Sequence, residues 1–331
     1  MHADSLMEHF AHAASRVIAI AEGHEPESSP RHEGPVDGRY VLELIETARS
    51  VTHDDFFGLA AKPCPLGANR FMNEVVVRCG NLAEGLDQAF KFIGLACPAA
   101  HFRLLRDGAQ ATIEIAIDDN GNDVDDLLLQ WNMLTLHKMA QWMTGTEILL
   151  DRVEFPNGMH GGYSDYAVLF SNDCVFNAKS ARMTFAAHHL ARRVVRTAQD
   201  FDRLLDAPQG NFAEPKTVST TWRQRVRRSL RADLGAQRPM SMIEELADEF
   251  GVSSQTLRRR LKAEGSSYRL LKSEIRREAA LDAMSDDNAP LGNASIRAGF
   301  AEPNGLTRAL KASGGLGPSD LRMQVRHWRA S

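Results

Sequence analysis

The last third of the chain repeats one short pattern: an amphipathic helix, a turn that contains glycine, and a second helix. In the first copy the apolar spacing of one helix ends at Gly251, and Ser253 begins the next helix. The second copy has Gly299 in its turn. Because strand-like alternation stops at Val218, we predict an all-α domain over residues 218–331.

The first copy also contains two predicted helix starts. Ser241 and Glu244 have the spacing of a capping box, in which the hydroxyl and the carboxylate each accept a backbone N–H at the start of the helix. Ser253 is the predicted N-cap of the second helix, and Leu257 and Leu261 are spaced to face inward from it. The sequence therefore predicts two helices with a defined buried side.

The outward face of that second helix has side chains suited to contact bases. Gln255, Arg258 and Arg259 lie at i, i+3 and i+4. An arginine can form two hydrogen bonds to guanine and a glutamine two to adenine, and a helix-turn-helix places its second helix in the major groove. We predict contact with double-stranded DNA through these three residues and Ser253. The alternative is a basic helix face exposed to solvent.

Charge divides the chain into an acidic and a basic part. The net charge is −4, yet residues 1–215 contain 30 acidic and 18 basic residues, whereas residues 216–331 contain 13 and 21. Phosphates attract the basic part and repel the acidic part. The split predicts separate roles for the two parts.

The last third resembles the DNA-binding domain of the AraC/XylS family of transcription regulators. The resemblance depends on LADEFGVSSQTLRRRLKAEG and on AGFAEPNGLTRALKASGGLGPSDLR, whose Gly299, Phe300, Glu302, Arg308 and Pro318 fall in register with the family pattern. It implies a transcription regulator with two helix-turn-helix units joined by a long helix, with RNA polymerase as a partner. By family position, the base contacts of the second unit are Asn304, Thr307 and Arg308. Phosphate contacts are expected from basic residues at 223–231, 269–277 and 322–329.

The second unit departs from the family pattern in ways that remove apolar volume. Ser295 adds a hydroxyl to the expected core, and Gly305 lies within the expected recognition helix, where glycine costs about 1 kcal/mol relative to alanine. Smaller residues also stand at four further core positions: Ala294, Leu306, Leu310 and Ser313. We expect the second unit to be less stable than the first.

The first two thirds are predicted to form an α+β domain over residues 39–206. An amphipathic helix at 5–21 and a polar, mobile segment up to residue 38 precede it, and the polar residues 207–217 form the linker. The predicted elements are a helix from Tyr40, a strand at 73–79, a helix at 82–96, a hairpin around Asp107-Gly108, a helix at about 125–144, strand-like pieces with an aromatic loop at 155–170, and a helix at 181–206.

This part resembles, more loosely, the N-terminal domain of AraC regulators related to ornithine-utilisation regulators. The matching features include HDDFFGLA and LAEGLDQAF. The resemblance implies a domain that binds a small organic effector and forms a homodimer. The candidate effector-binding residues are Trp131, His137, Trp142, His160 and Tyr163, and the alternative for each is a core residue or a hydrogen-bonded polar group.

The chain contains none of the common nucleotide-binding, hydrolase or metalloprotease motifs, so we expect no catalytic residue, cofactor or metal site. The four cysteines are expected to be reduced thiols, mostly buried, because none forms a C-x-x-C pair. With no long apolar run and no signal peptide, the predicted location is the cytoplasm. The predicted protein is an effector-responsive activator of transcription. The alternatives are a regulator controlled by a protein partner or by expression level, and an enzyme with a DNA-binding module.

Overall fold

The computed structural model describes residues 6–25, 36–123, 125–206, 222–236, 238–284, 295–296, 299–300, 307 and 317–329. The chain forms two compact units. Unit 1 comprises residues 1–161 and 169–218, and unit 2 comprises residues 162–168 and 219–331. The predicted linker 207–217 lies outside the described residues.

Unit 1 combines helices with one sheet, as the predicted α+β class requires. Its helices are α1 (Leu6–Ala21), α2 (Gly38–Thr52), α3 (Ala68–Val76), α4 (Leu82–Ala96), α5 (Leu127–Thr144) and α7 (Ala198–Asp206). The N-terminal helix is part of this unit, because α1 packs against α2 and α5 and the rings of Phe10 and Trp131 meet edge to face at 5.8 Å.

The sheet has five strands in the order β1-β2-β5-β3-β4. Its strands are β1 (Ala100–Asp107), β2 (Gln110–Ile117), β3 (Leu150–Glu154), β4 (Cys174–Val175) and β5 (Ala181–Ala186). All neighbours are antiparallel except β3 and β4. The predicted hairpin is confirmed, because Asp107 pairs with Gln110 and Gly108 has a φ of 54°, which glycine tolerates. Helices α4 and α5 pack on β1 and β2.

Two predicted elements of unit 1 were wrong. The β-branched residues at 75–77 predicted a strand, but Val75 and Val76 end helix α3 and Val77 is its C-cap; the buried residues Ala68, Asn73 and Val76 share one helical face. The predicted helix at 181–206 is instead strand β5, a 3-10 turn, an extended segment and α7. Ala181, Met183 and Phe185 are buried at every second position, which is the period of a strand.

The aromatic loop of unit 1 continues into unit 2 through a short helix. The sequence predicted strand-like pieces here, whereas α6 (Tyr163–Leu169) is helical. Tyr163 is fully buried, and its ring stacks on that of Trp328 at 5.6 Å within unit 2.

The remaining described elements of unit 2 are helices: α8 (Trp222–Gly235), α9 (Ile243–Glu249), α10 (Ser254–Ala263), α11 (Tyr268–Met284) and α12 (Pro318–Arg329). The all-α prediction therefore holds for the described residues from 222 onward. A shared core unites α8 to α11, and it contains Val226, Leu230, Met240, Ile243, Leu246, Ala247, Leu257, Leu261, Leu271 and Ile275.

Two of the four cysteines are joined. Cys64 and Cys97 form a disulfide across 33 residues of sequence, whereas Cys79 and Cys174 form no disulfide within the described residues. The expectation of four reduced thiols is therefore wrong, because the fold of unit 1 brings Cys64 to the end of α4. The spacing of the cysteines in the sequence does not predict that Cys64 and Cys97 lie close together.

Candidate nucleic-acid interface and candidate effector cavity

The start of α10 is built as the sequence predicted. Ser253 is its N-cap, and the serine hydroxyl accepts the N–H of Thr256 at 3.1 Å. Gly251 has a φ of 66°, so the four-residue turn between α9 and α10 uses the left-handed conformation that glycine allows. Leu257 and Leu261 are fully buried. The opposite face of α10 is therefore held outward.

Only the carboxylate half of the predicted capping box forms at the start of α9, and it comes from Glu245 rather than from Glu244. The N–H of Met242 donates to Glu245 Oε2 at 2.5 Å. Ser241 does not cap α9, because its N–H and its hydroxyl both donate to Asp233 Oδ2, at 2.8 and 2.7 Å. This tertiary contact with α8 competes successfully with the local motif.

The outward face of α10 presents Gln255, Arg258 and Arg259, all of them exposed. Arg258 has a partner, since its guanidinium donates to Glu244 Oε1 at 3.0 Å. Gln255 and Arg259 have no hydrogen-bond or ion-pair partner among the residues that the structure describes. Their polar groups are available for an external partner, whereas Arg258 would first have to leave Glu244.

Two contacts fix α10 to α8. The guanidinium groups of Arg225 and Arg260 both lie over the ring of Trp222, at 4.4 and 4.2 Å from its centroid. The carboxylate of Glu264 accepts the N–H groups of Trp222 and Arg223, at 2.9 and 2.8 Å. These backbone N–H groups begin a helix and would otherwise lack acceptors. α10 is therefore held on a rigid support.

A charged network joins α8 to α11. Arg227 donates to Glu274 at 2.7 Å and to Glu278 at 2.6 Å, and Arg231 donates to Glu278 at 2.6 Å. Arg227 and Glu278 are buried, at 8% and 3% exposure. The expectation that the basic residues at 223–231 all hold phosphates is therefore wrong for Arg227 and Arg231, because α11 occupies them.

The predicted base contacts of the second unit fall mostly outside the described residues. Asn304 and Arg308 lie there, as do Gly305, Leu306, Leu310 and Ser313, whereas Thr307 is helical and half-buried. Ser295 is fully buried, at the core position where its hydroxyl was expected. Gly299 has a φ of 72° in the predicted turn.

Unit 1 contains a cavity of about 770 Å³. Side chains from five helices and one strand line it. Among them are Thr47 from α2, Asn73 and Val76 from α3, Leu86, Ala89, Phe90 and Ile93 from α4, Phe102 from β1, Trp131, Thr135, Met139 and Met143 from α5, and Phe201 from α7. The walls are mainly apolar, and the volume lies within the range of small-molecule sites.

Three of the residues that line this cavity contain a buried polar atom with no hydrogen-bond partner: Nε1 of Trp131, Oδ1 of Asn73 and Nε of Arg49. The first and third are donors and the second is an acceptor. Buried polar atoms without partners are uncommon, because each costs about 1–3 kcal/mol.

The five candidate effector residues do not line one site. Trp131 lines the cavity, whereas Trp142 packs against Phe201 and under the guanidinium of Arg196. His160 contacts Asp126 at 2.7 Å and stacks on His9. Tyr163 belongs to unit 2. Sequence reasoning missed Asn73, which it placed on a strand. The apolar residues on all sides of α5 were the available sequence signal, because a helix of that kind is buried.

The fifth candidate, His137, is a buried structural residue. Its Nε2 donates to the carbonyl oxygen of Ile148 at 2.8 Å. Burial lowers the pKa of His137 to about 4, with a smaller contribution from the charge of Lys138. The imidazole is therefore neutral at pH 7, and it connects α5 to the segment that leads into β3.

Two kinds of feature are absent from the described part of the chain. No helix there is both long enough and apolar enough to cross a membrane. No group of three or more His, Cys, Asp or Glu side chains within the described ranges is arranged to hold a metal ion.

Comparison with known proteins gives consistent relationships for both parts of the chain. Residues 23–194, just over half of the chain, match the model of the arabinose-binding domain of AraC transcription regulators. The ornithine utilization regulator of Pseudomonas aeruginosa is 22% identical over 285 residues, which cover 85% of this chain and 82% of that protein. The uncharacterized HTH-type transcriptional regulator Rv1395 of Mycobacterium tuberculosis is 34% identical over 76 residues, covering 23% of this chain and 22% of that protein.

Among solved structures, the transcriptional regulator CdpR of Pseudomonas aeruginosa aligns with 95% of this chain and 98% of its own, at 15% identity and a TM-score of 0.32.

A helical unit with an exposed basic helix, together with these relatives, defines the class as DNA-binding transcription regulators. More particularly, the chain belongs to the AraC family, as a member with an N-terminal domain of the arabinose-binding type. Both resemblances found in the sequence are confirmed at the level of the family.

Proposed function

We propose that α9 and α10 form a helix-turn-helix unit whose second helix enters the major groove of a specific operator. The observation on which this proposal depends is the exposed pair Gln255 and Arg259, which have no partner in the described part of the chain although the helix beneath them is capped and packed. Arg259 is the residue we expect to contact a guanine. The second unit, with Asn304, Thr307 and Arg308, is proposed to bind one turn of DNA away.

We also propose that unit 1 binds a small organic effector and forms a homodimer, and that the regulator activates transcription through RNA polymerase. Membership of the AraC family supports this proposal, and so does the cavity of unit 1. The two units would then have the separate roles that their opposite charges predict.

The test is DNA binding by the full chain. Operators are selected from a random pool, and affinity is measured by fluorescence anisotropy from 50 to 300 mM salt. Arg259→Ala is expected to lose about 1–3 kcal/mol at one base pair and to reduce the preference there. Arg203→Ala is the control, since this arginine is exposed on α7 of unit 1 and is expected to leave DNA binding unchanged.

Two results would contradict the proposal. A loss of the same size on every sequence would make Arg259 a phosphate contact rather than a base contact. An affinity that does not fall with salt would remove the nucleic-acid function altogether, because phosphate contacts release counterions.

A further inference from the structure

We infer that the cavity of unit 1 binds an uncharged, mainly apolar small molecule that contains a hydrogen-bond acceptor and a hydrogen-bond donor. The inference rests on the effector-binding role proposed above and specifies both the site and the chemistry of the effector. Neither the family match nor any of the relatives identifies a ligand for this chain.

The apolar walls set the body of the ligand. Phe90 of α4 and Phe102 of β1 stack at 5.4 Å, and Met139 and Met143 of α5 belong to the same buried cluster as Phe201. An apolar molecule that binds among these side chains buries its apolar surface away from water, which is favourable. No polar group is desolvated in the process. Methionine side chains also adapt to the shape of a ligand.

Two of the three unpartnered atoms belong to neutral side chains, and these two set the functional groups of the ligand. The indole N–H of Trp131 is a donor without an acceptor, so it selects a carbonyl, ether or hydroxyl oxygen. Oδ1 of Asn73 is an acceptor without a donor, because the amide nitrogen of Asn73 already donates to the carbonyl oxygen of Asn69 at 2.8 Å. A ligand with both groups would satisfy both atoms.

The charges that line the cavity are already balanced, which argues against a charged ligand. Arg39 pairs with Glu43 at 3.0 Å, and Arg49 pairs with Glu46 at 2.5 Å. Asp55 accepts the N–H groups of Gly67 and Asn69, at 3.2 and 2.7 Å. A ligand charge among the apolar walls would lose its hydration, which is costly.

Charge preference is measured with two fluorescent probes that differ by one sulfonate group. N-phenyl-1-naphthylamine is uncharged and contains one N–H donor, and 8-anilinonaphthalene-1-sulfonate is its anionic analogue. Titrated into the full chain, the uncharged probe is expected to bind saturably with one site, at least about tenfold more tightly than the anion. Equal affinities, or no saturable binding of the uncharged probe, would overturn the inference.

The location is tested by filling the cavity. Ala89 faces it and is 4% exposed, so Ala89→Phe, or the smaller change Ala89→Leu, is expected to weaken the uncharged probe more than about tenfold. Gln88→Phe adds the same ring at the neighbouring exposed position of α4 and is expected to have no effect. Equal binding by folded Ala89 variants and wild type would place the probe elsewhere and contradict the inference.

The role of Trp131 is tested with 6-propionyl-2-(dimethylamino)naphthalene, an uncharged probe whose carbonyl oxygen accepts a hydrogen bond. Trp131→Phe keeps an aromatic ring but removes the donor, and is expected to weaken this probe about five- to tenfold. Trp142→Phe removes a tryptophan from the same helix but outside the cavity lining, and is expected to leave affinity unchanged. If both variants bind as wild type does, the assigned hydrogen bond is wrong.

The experiments distinguish a wrong ligand site from a wrong proposed function. DNA binding is measured on the same preparations without probe and depends on α10 of unit 2. A chain that binds DNA but not the uncharged probe would refute the ligand chemistry alone. A chain that binds the probe but no operator would refute the regulator function and leave the ligand site standing.

Discussion

At the scale of single residues, His137 shows how burial changes the chemistry of a side chain that the sequence suggested as an effector-binding residue. Its neutral imidazole donates to Ile148 from a fully enclosed position. Because the pKa of His137 in the folded chain is about 4, well below its ordinary value of 6.5, the unfolded chain takes up a proton first as pH falls. Its contribution to stability is fully present above pH 6.5 and is lost towards pH 4.

His137→Gln is therefore expected to reduce the acid sensitivity of the fold. Glutamine does not titrate. When the pH falls from 7.5 to 5, the free energy of unfolding of the variant should therefore decrease by about 1–2 kcal/mol less than that of wild type. Thermal unfolding of the full chain at pH 7.5, 6 and 5 measures this. His12→Gln, an exposed position on α1, serves as the control and should follow wild type.

Comparison of the variant with wild type is needed because Asp123 acts in the opposite sense. Burial raises the pKa of Asp123 to about 7, so its contribution to stability falls as pH rises between about 4 and 7. The total pH profile contains both effects, whereas the difference between wild type and His137→Gln isolates one. Parallel profiles for the two proteins would contradict the assignment.

The sequence could predict which face of a helix a residue occupies. It could not predict which buried polar atoms lack a hydrogen-bond partner. The outward direction of Gln255 and Arg259 follows from the period of the helix and from the burial of Leu257. The missing partner of Trp131 Nε1 depends on neighbours from other elements, so no local pattern contains it. Ser241 illustrates the same limit, because Asp233 of α8 removes it from the predicted cap.

At the scale of elements, the packing of α8 on α11 is unusual because it buries charge. Glu278 is 3% exposed and accepts from both Arg227 and Arg231. Removing one member of a buried ion pair leaves an uncompensated charge, at a cost of about 3–5 kcal/mol. An exposed ion pair such as that of Glu244 and Arg258 contributes about 0–1 kcal/mol.

Glu278→Gln is expected to loosen α8 and α11 while leaving unit 1 unchanged. Hydrogen exchange followed by mass spectrometry should show faster exchange of the amides of both helices. Glu244→Gln makes the same chemical change at an exposed pair and should leave exchange near wild type. Equal protection in the two variants would show that the network adds little to the stability of unit 2.

Element prediction succeeded where one period dominated and failed where two signals competed. Helix α4 was predicted with its observed bounds, because its apolar residues follow the period of a helix throughout. Helix α3 was predicted as a strand because Val75, Val76 and Val77 favour a strand by composition. The packing of α3 against α4 overrides that preference.

At the scale of the whole molecule, the disulfide between Cys64 and Cys97 constrains unit 1 independently of its core. It closes a loop of 33 residues, which corresponds to roughly 3–4 kcal/mol of stabilisation in the chain-entropy model. Denatured but unreduced full-length chain is expected to contain two titratable thiols, from Cys79 and Cys174, and reduced chain four.

Reduction should also lower the unfolding temperature of wild type, but not that of the double variant Cys64→Ser, Cys97→Ser. Four thiols in the unreduced chain would show that the pair is not joined. A disulfide links distant parts of the chain, so it belongs to the features that sequence alone could not supply. The division into an acidic and a basic part, by contrast, was evident from charge.

The charged network between α8 and α11 also limits which substitutions can accumulate in related proteins during evolution. Arg227 forms ion pairs with two glutamates, and Glu278 forms ion pairs with two arginines. A substitution at either position therefore leaves a charge on the other helix without its partner. Close relatives should therefore keep these residues as a set or lose them together. A chimaera that takes α8 from one regulator and α11 from another should fold stably only when both parents have the whole set or both lack it.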